Sequence, residues 1–351
     1  MHPSVASSSR AERGLADRRY SRFLACVLLG LVAPTLSAQI YVAGYESLRI
    51  VDDARQRPIQ LDVWYPAATT PAEQEHRYGL SIGHVSAGAA VAGERHPLLL
   101  LSPGAMGTAT NYSWLAEHLS RRGYIVVGVS HLGESPAFGN ASLDPRSVGR
   151  FGDRTRDLNF ALNYVVGRSA YAKSLDSARI GAIGHSSGGA SVLMFAGAAF
   201  APADLAAYCR SSAAAVDKGC SYPTRGTDDA ERVTPVRSDR RIKVLVAMDP
   251  AVGPGFTEPG LRGLRIPSLV IGSVQNDFLP YASHAGRAAR IKGAQIVRLD
   301  RGEGHFVYVD ECELPIEVMG VPLCSDRAGV DRKAVHADLA ALIERFLQRR
   351  L

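Results

Sequence analysis

The chain has 351 residues, of which 46% are hydrophobic and 21% charged, proportions that suit a globular protein with a sizeable core. The formal net charge is +6, and half of it comes from the first 38 residues, where five arginines face two acidic residues. Beyond that point arginine is scattered and no basic stripe carries interleaved aromatic residues, so the composition does not support nucleic-acid binding.

Residues 1–38 have the pattern of a secretory signal peptide. A basic segment ends at Arg22, an apolar segment covers 23–33, and the segment after it ends in the small residues Ser37 and Ala38. The apolar segment is too short to span a bilayer, so we expect no stable membrane span, and a membrane anchor is the second interpretation. We therefore expect one domain over 39–351, exported to the periplasm or the extracellular space.

Four cysteines remain once Cys26 leaves with the signal peptide. An even number in an exported chain favours disulfides, and four cysteines allow three connectivities. We favour the two local pairs, which each close a short loop: Cys209–Cys220 and Cys312–Cys324. The chain has no Cys-x-x-Cys and no histidine–cysteine ligand spacing, so neither a metal site nor a cofactor is expected.

The segments before residue 170 predict strands that alternate with helices. An unbroken apolar run at 98–101 is typical of a strand buried on both faces of a parallel sheet. The polar, alanine- and glycine-rich region 66–94 has no clear period and is expected to be a loop. The other predicted elements are a hairpin of strands 46–51 and 59–65, a helix from Thr110 or Asn111 to Gly123, a strand over 124–130 and a helix from about 152 that carries Leu158, Leu162 and Val165.

The stretch 180–195 organises the chain. An apolar run leads into Gly184-His185-Ser186-Ser187-Gly188, and a small-residue helix follows. A Gly-x-Ser-x-Gly pattern between strand and helix predicts a nucleophile elbow, in which a strained turn exposes the serine hydroxyl. Ser186 is therefore the candidate nucleophile, and an ordinary glycine-rich turn is the alternative.

Further strands and a closing helix follow the elbow, with a polar insertion at 201–240 between them. The expected strands cover 242–247, 268–272 and 295–299, and the helix covers 332–347. This alternation predicts an α/β fold with a mostly parallel central sheet and helices on both faces.

A serine nucleophile needs a histidine base and an acid that orients it, in the chain order Ser…Asp/Glu…His. His305 lies in a Gly-flanked loop just past the last strand, where ligands bind to such sheets. His284 and His336 fall in helical segments with ordinary surface neighbours and are the weaker candidates.

Two aspartates compete for the acid. Asp277 follows the strand 268–272, but Asn276 stands four residues before Pro280, where this fold usually has the acid. Asp249 ends the preceding strand, can also reach the imidazole and is favoured, although a carboxylate before proline can instead cap a turn. The oxyanion hole is expected to use the N–H of Ser187 and that of Ala105, unless the loop around Ala105 is only a flexible glycine loop.

Four motifs together resemble α/β-hydrolases of the dienelactone-hydrolase-like group, in its bacterial branch related to platelet-activating-factor acetylhydrolase. They are Leu101-Ser102-Pro103-Gly104, Gly184-His185-Ser186-Ser187-Gly188-Gly189, Ala247-Met248-Asp249-Pro250 and Gly304-His305-Phe306. In the acetylhydrolases the acid follows the strand after the elbow helix, which implies Asp249. The chain also resembles bacterial cutinases and polyesterases, whose acid would lie near Asp277. True dienelactone hydrolases use a cysteine nucleophile, where this chain has Ser186.

The sequence thus predicts an exported serine ester hydrolase that acts through Ser186, His305 and Asp249. The insertion lacks the apolar helical stripe of a lipase lid, so short-acyl esters are expected as substrates. A polyesterase- or lipase-like hydrolase and a non-catalytic binding protein on the same fold are the alternatives. A peptidase and an acyltransferase also stay open.

Overall fold

A computed structural model describes residues 41–68, 72–93, 95–222 and 238–351. The predicted signal peptide at 1–38 lies outside these residues, as does the part of the insertion at 223–237. Within the described ranges, no helix combines the length and the apolar character that a bilayer span requires.

Ten strands form one central sheet in the order β10-β9-β8-β7-β5-β6-β2-β1-β4-β3. Strands β5 to β10 run parallel to one another, whereas β2 pairs antiparallel with both β6 and β1. The strands are β1 Val42–Asp52, β2 Arg57–Ala67, β3 Gln74–Tyr78, β4 Ser81–Ala87, β5 His96–Ser102, β6 Ile125–Ser130, β7 Leu175–His185, β8 Ile242–Met248, β9 Ser268–Ser273 and β10 Gln295–Leu299. A separate small hairpin joins β11 Glu317–Val318 to β12 Val321–Pro322.

Helices cover both faces of the sheet, as predicted. In β5, Leu99 and Leu101 pack in a cluster with the helices α1 and α7, while Leu98 and Leu100 pack with α2 and α3 on the other face. This alternation is the physical reason that β5 reads as an unbroken apolar run. The helices are α1 Ser113–Arg121, α2 Phe151–Gly167, α3 Ser187–Phe195, α4 Pro202–Cys209, α5 Glu258–Gly263, α6 Ala285–Ala288 and α7 Arg332–Gln348.

The prediction of a loop over 66–94 was wrong, because β3 and β4 lie within it. β3 is one of the two edge strands of the sheet and has a mostly exposed, polar sequence. Its pairing is set by β4, and that of β4 partly by β1, so the strand signal is not local.

Both predicted disulfides are confirmed. Cys209 at the end of α4 is bonded to Cys220, and Cys312 is bonded to Cys324 across the small β11–β12 hairpin.

The surface placement expected for two histidines was wrong. His284 is buried and its Nε2 lies 2.6 Å from Asp217 Oδ2 in the insertion. His336 on α7 is also buried, stacks on the Trp114 ring and donates a hydrogen bond from Nε2 to the Val307 carbonyl at 2.7 Å. Neither ring belongs to the cavity that Ser186 lines.

Candidate active site

Ser186 stands between the end of β7 and the start of α3, in a turn with strained backbone. Its φ of 55° lies in the left-handed region that a non-glycine residue rarely adopts. Backbone hydrogen bonds hold this conformation: the Ser186 N–H donates to Met248 O, and its carbonyl accepts from Ala190 and Ala251. The turn is therefore fixed by β8, by α3 and by the loop after β8.

His305 lies in the loop after β10 and reaches the elbow serine. Its Nε2 is 3.0 Å from Ser186 Oγ, a hydrogen-bonding distance, and both residues are buried. Phe278 stacks on the imidazole with a ring-centroid distance of 5.2 Å and an interplanar angle of 12°. The ring is thus held between its serine partner and an aromatic face.

Asp249 follows the last residue of β8 and lies behind the imidazole. Its Oδ2 is 3.4 Å from His305 Nδ1 and accepts a 2.7 Å hydrogen bond from Asn276 Nδ2. Its Oδ1 accepts from the Ser273 N–H at 2.8 Å. Burial raises the pKa of Asp249 above its ordinary range, while the bonds from His305 and Ser273 oppose that rise because they favour the ionised form.

Asp277 also lies near His305 but contacts its backbone. Its Oδ1 accepts a 2.9 Å hydrogen bond from the His305 N–H, and its Oδ2 is 3.3 Å from Arg327 Nη2. Of the two candidate acids, Asp249 is the one whose carboxylate faces the ring nitrogen, and Asp277 holds the loop.

The loop after β5, where Ala105 was expected to supply an oxyanion donor, borders the same cavity as Ser186. The Gly104 N–H donates to the Tyr112 hydroxyl at 2.9 Å, and the buried Arg154 guanidinium donates to the Pro103 carbonyl. Ser187 is the first residue of α3, so its N–H stands at the helix N-terminus, where no intrahelical acceptor exists.

A buried relay that the sequence analysis did not include joins this loop to His305. The Tyr112 hydroxyl donates to His185 Nδ1 at 2.8 Å, and His185 Nε2 donates to the His305 carbonyl at 3.1 Å. A carbonyl can only accept, so Nε2 of His185 carries the proton and Nδ1 accepts. Burial lowers the pKa of His185 well below its ordinary value, in keeping with this neutral tautomer. His185 stands inside the Gly-x-Ser-x-Gly motif, but Tyr112 carries no sequence signal for this contact.

A cavity of about 520 Å³ opens over Ser186 and His305. Much of its wall is apolar, from Tyr222, Phe278, Phe306, Val318 and Leu323 among others, and polar side chains of β1 and β2 add to it. Its size falls within the range of small-molecule sites. Among the described residues, no group of three or more His, Cys, Asp or Glu side chains is placed to hold a metal ion.

The architecture and a solved structure together identify the fold. A ferulic acid esterase from Streptomyces cinnamoneus superposes with a TM-score of 0.60 over 91% of this chain and 92% of the esterase, at 23% sequence identity. The chain has the α/β-hydrolase fold, with the candidate site at the carboxyl edge of its parallel strands.

Sequence comparison adds relatives that cover part of the chain, and no family model matches it. The cutinase cut1 of Thermobifida fusca is 27% identical over 196 residues, which are 53% of this chain and 54% of the cutinase. Cutinase 2 of Thermobifida cellulosilytica is 33% identical over 98 residues, 27% of this chain and 32% of the relative. A bis(hydroxyethyl) terephthalate hydrolase of Streptomyces coelicolor is 30% identical over 95 residues, 27% of this chain and 26% of the hydrolase. The chain thus spans about half the length, or less, of these relatives.

Proposed function

We propose that this chain is an exported serine hydrolase of carboxylic esters. Ser186 attacks the ester carbonyl, while His305 takes the hydroxyl proton and returns it to the leaving alcohol. Asp249 orients the imidazole and stabilises its charged form, and the N–H groups of Ala105 and Ser187 bind the oxyanion. Water then attacks the acyl-enzyme with His305 as the base, which releases the acid and restores Ser186.

One observation carries this proposal: the 3.0 Å contact between Ser186 Oγ and His305 Nε2 at the wall of a cavity large enough for an ester. The strained backbone at Ser186 supports it, because such strain persists where the surrounding structure imposes it and is common at active sites. The names of the relatives, which are cutinases, a terephthalate ester hydrolase and a ferulic acid esterase, agree with ester chemistry.

The nucleophile is tested by Ser186→Ala, assayed with p-nitrophenyl acetate. We expect a loss of about 10³-fold or more in kcat, because no other hydroxyl would occupy the nucleophile position. The matched control is Ser211→Ala, an exposed serine outside the cavity, which should keep wild-type turnover. Unchanged hydrolysis by Ser186→Ala would reject the mechanism.

Short-acyl esters are the proposed substrates, and a polyesterase-like activity is the second candidate. The described part of the insertion holds only one α-helix, α4, of eight residues, too short for a large apolar lid. The similarity to cutinases and to a terephthalate ester hydrolase favours the second candidate. A profile of p-nitrophenyl esters from acetate to palmitate, run beside a polyester film, separates the two.

The branch of α/β-hydrolases to which this chain is related is also a proposal. Placement of the acid after β8, as at Asp249, supports the acetylhydrolase-related branch over the cutinase pattern. Export is supported by the two disulfides, which form in oxidising compartments. Failure of a fluorophosphonate to label Ser186 would favour instead a non-catalytic binding protein on this fold.

A further inference from the structure

Asp62 on β2 is a buried carboxylate in the wall of the cavity that also contains Ser186 and His305. The residue is 3% exposed and belongs to a strand in the interior of the sheet. The ester mechanism gives it no role, because β2 lies three strands away from β7. With a strand spacing of about 4.8 Å, that separates the two strands by roughly 14 Å across the sheet.

The described residues form hydrogen bonds to only one of the two oxygens of Asp62. Oδ1 accepts hydrogen bonds from the Tyr45 hydroxyl and from Ser47 Oγ, each at 2.8 Å. Among the described residues, no donor reaches Oδ2. Oδ2 keeps some solvent-accessible surface. Because Asp62 lines the cavity, this oxygen is open to it.

Within the described part of the chain, no lysine or arginine forms an ion pair with Asp62, and the half-buried His76 is the titratable cation that acts on the pKa of Asp62. Buried carboxylates are ordinarily paired or fully hydrogen-bonded, because an unpaired one is costly. Burial raises the pKa of Asp62, which reflects this cost.

A carboxylate at position 62 is not required merely to hold strands β1 and β2 together. Tyr45 and Ser47 both bond to Oδ1, and an asparagine carbonyl oxygen at the same position would accept both bonds. The second oxygen is therefore the feature that needs an explanation, and a ligand in the cavity provides one.

We propose that Asp62 is a specificity-determining residue that binds a hydrogen-bond donor, an ammonium or a hydroxyl group, at the far end of the substrate. This inference rests on the proposed ester hydrolase function and names its substrate class. The substrate is a short-acyl ester of an elongated alcohol whose donor lies several bonds from the reacting carbonyl, since Asp62 belongs to β2, about 14 Å across the sheet from β7, which Ser186 follows. Apolar side chains of the cavity wall contact the chain between the two ends.

The test compares three matched short-acyl esters: octyl acetate, 8-hydroxyoctyl acetate and 8-aminooctyl acetate. For the wild type, we expect at least one of the two functionalised esters to have a kcat/KM about tenfold above that of octyl acetate. An advantage of the amino ester alone identifies ammonium as the ligand chemistry, and an advantage of the hydroxy ester alone identifies hydroxyl. Measurable and equal kcat/KM values for all three esters in the wild type overturn the proposal, whatever the variants do.

Two variants separate a direct role from a structural one. Asp62→Asn should lower the ratio of kcat/KM for the preferred functionalised ester to kcat/KM for octyl acetate at least fivefold. Tyr45→Phe removes a donor to Oδ1 from a residue outside the cavity wall and should keep the preference. A preference that survives Asp62→Asn contradicts the proposal.

Binding to Ser186→Ala, measured by titration calorimetry, distinguishes failure of this inference from failure of the proposed function. The affinities of Ser186→Ala for the three esters should follow the same order as the wild-type kcat/KM values. Asp62→Asn, added to Ser186→Ala, should remove the differences in affinity. If the wild type hydrolyses neither p-nitrophenyl acetate nor any of the three esters, the hydrolase proposal fails, and the binding order still decides the role of Asp62.

Discussion

At the residue scale, three side chains surround His305, two of them at the imidazole and one at the backbone. Asp249 Oδ2 and Asn276 Nδ2 both lie 3.4 Å from Nδ1 of the ring, whereas Asp277 accepts from the backbone N–H. A carboxylate can accept the Nδ1 proton, while an amide nitrogen cannot. Asn276 instead donates to Asp249 and fixes its orientation.

The roles of the two aspartates are tested by Asp249→Asn and Asp277→Asn. We expect Asp249→Asn to lower kcat for p-nitrophenyl acetate by about 10²-fold to 10⁴-fold, because the imidazole loses the charge that orients it. Asp277→Asn keeps an oxygen that can accept from the His305 backbone, so its kcat should fall less than about tenfold. The reverse order of losses would make Asp277 the acid.

An exchange of positions gives a sharper prediction, since Asn276 lies as close to Nδ1 as Asp249 does. The double variant Asp249→Asn, Asn276→Asp should recover at least tenfold of the kcat lost in Asp249→Asn. Asn276→Asp alone serves as the control, and it should be less stable than wild type because two carboxylates would then meet in a buried site. No recovery in the double variant would show that the carboxylate works only from the end of β8.

At the element scale, the elbow and the loop after β5 are packed backbone against backbone. A Cβ added at Gly188 would lie well inside contact distance of the Ser102 and Pro103 carbonyls, and one at Gly184 would collide with Gly188. The glycines therefore set the distance between α3, which carries Ser187, and the loop that carries Ala105.

Gly188→Ala should be destabilising by about 3 kcal/mol or more, because the atoms it meets are backbone atoms that cannot rotate away. Urea unfolding measures the loss of unfolding free energy. We also expect the folded molecules of this variant to have a lower kcat for p-nitrophenyl acetate than the wild type. The matched control is Gly167→Ala at the end of α2, where nothing lies within 4 Å of an added Cβ. That variant should be neutral or stabilising by up to about 1 kcal/mol. Equal stability of the two variants would contradict the packing argument.

The elements also show how far sequence reasoning extends. The buried strands β5, β7 and β8 were predicted because burial on both faces leaves an apolar run that needs no partner to be recognised. Strands β3 and β4 were missed because β4 pairs with β1, some forty residues earlier in the chain, and β3 joins the sheet only through β4.

The residues of the candidate site also divide into those with a local sequence signal and those without one. Ser186 and His305 have local signals, a Gly-x-Ser-x-Gly turn and a Gly-flanked loop after a strand. The sequence left Asp249 and Asp277 open because both follow strands that end at the same sheet edge, and only the fold tells which atom of His305 each one meets. Asp62 and Tyr112 were missed because their contacts depend on distant segments that the sheet brings together.

At the scale of the whole molecule, the C-terminal helix supports the loop that carries His305. His336 on α7 donates to the carbonyl of Val307, two residues after His305, and stacks on Trp114 of α1 with a centroid distance of 4.1 Å. Burial lowers the pKa of His336 from its ordinary value of 6.5 to about 4, with Arg332 acting in the same direction and Asp326 in the opposite one. His131 and His185 are also buried with pKa values lowered by burial.

The lowered pKa values of these histidines predict how the unfolding free energy depends on pH. A histidine whose pKa is lower in the folded state binds a proton more tightly when the chain is unfolded. Its contribution to the unfolding free energy is therefore complete above pH 6.5 and declines as the pH falls towards 4. For His336, the change from 6.5 to about 4 corresponds to about 3 kcal/mol of unfolding free energy between pH 7 and pH 4. His336→Gln can still donate to Val307 and does not titrate, so its unfolding free energy should fall by about 3 kcal/mol less than that of the wild type over this range. Urea unfolding at pH 7, 6, 5 and 4 measures the difference, with the exposed His84→Gln as a control that should follow the wild-type curve. Parallel curves for wild type and His336→Gln would mean that His336 has the same pKa in the folded and unfolded states, which would contradict the lowered pKa of the buried ring.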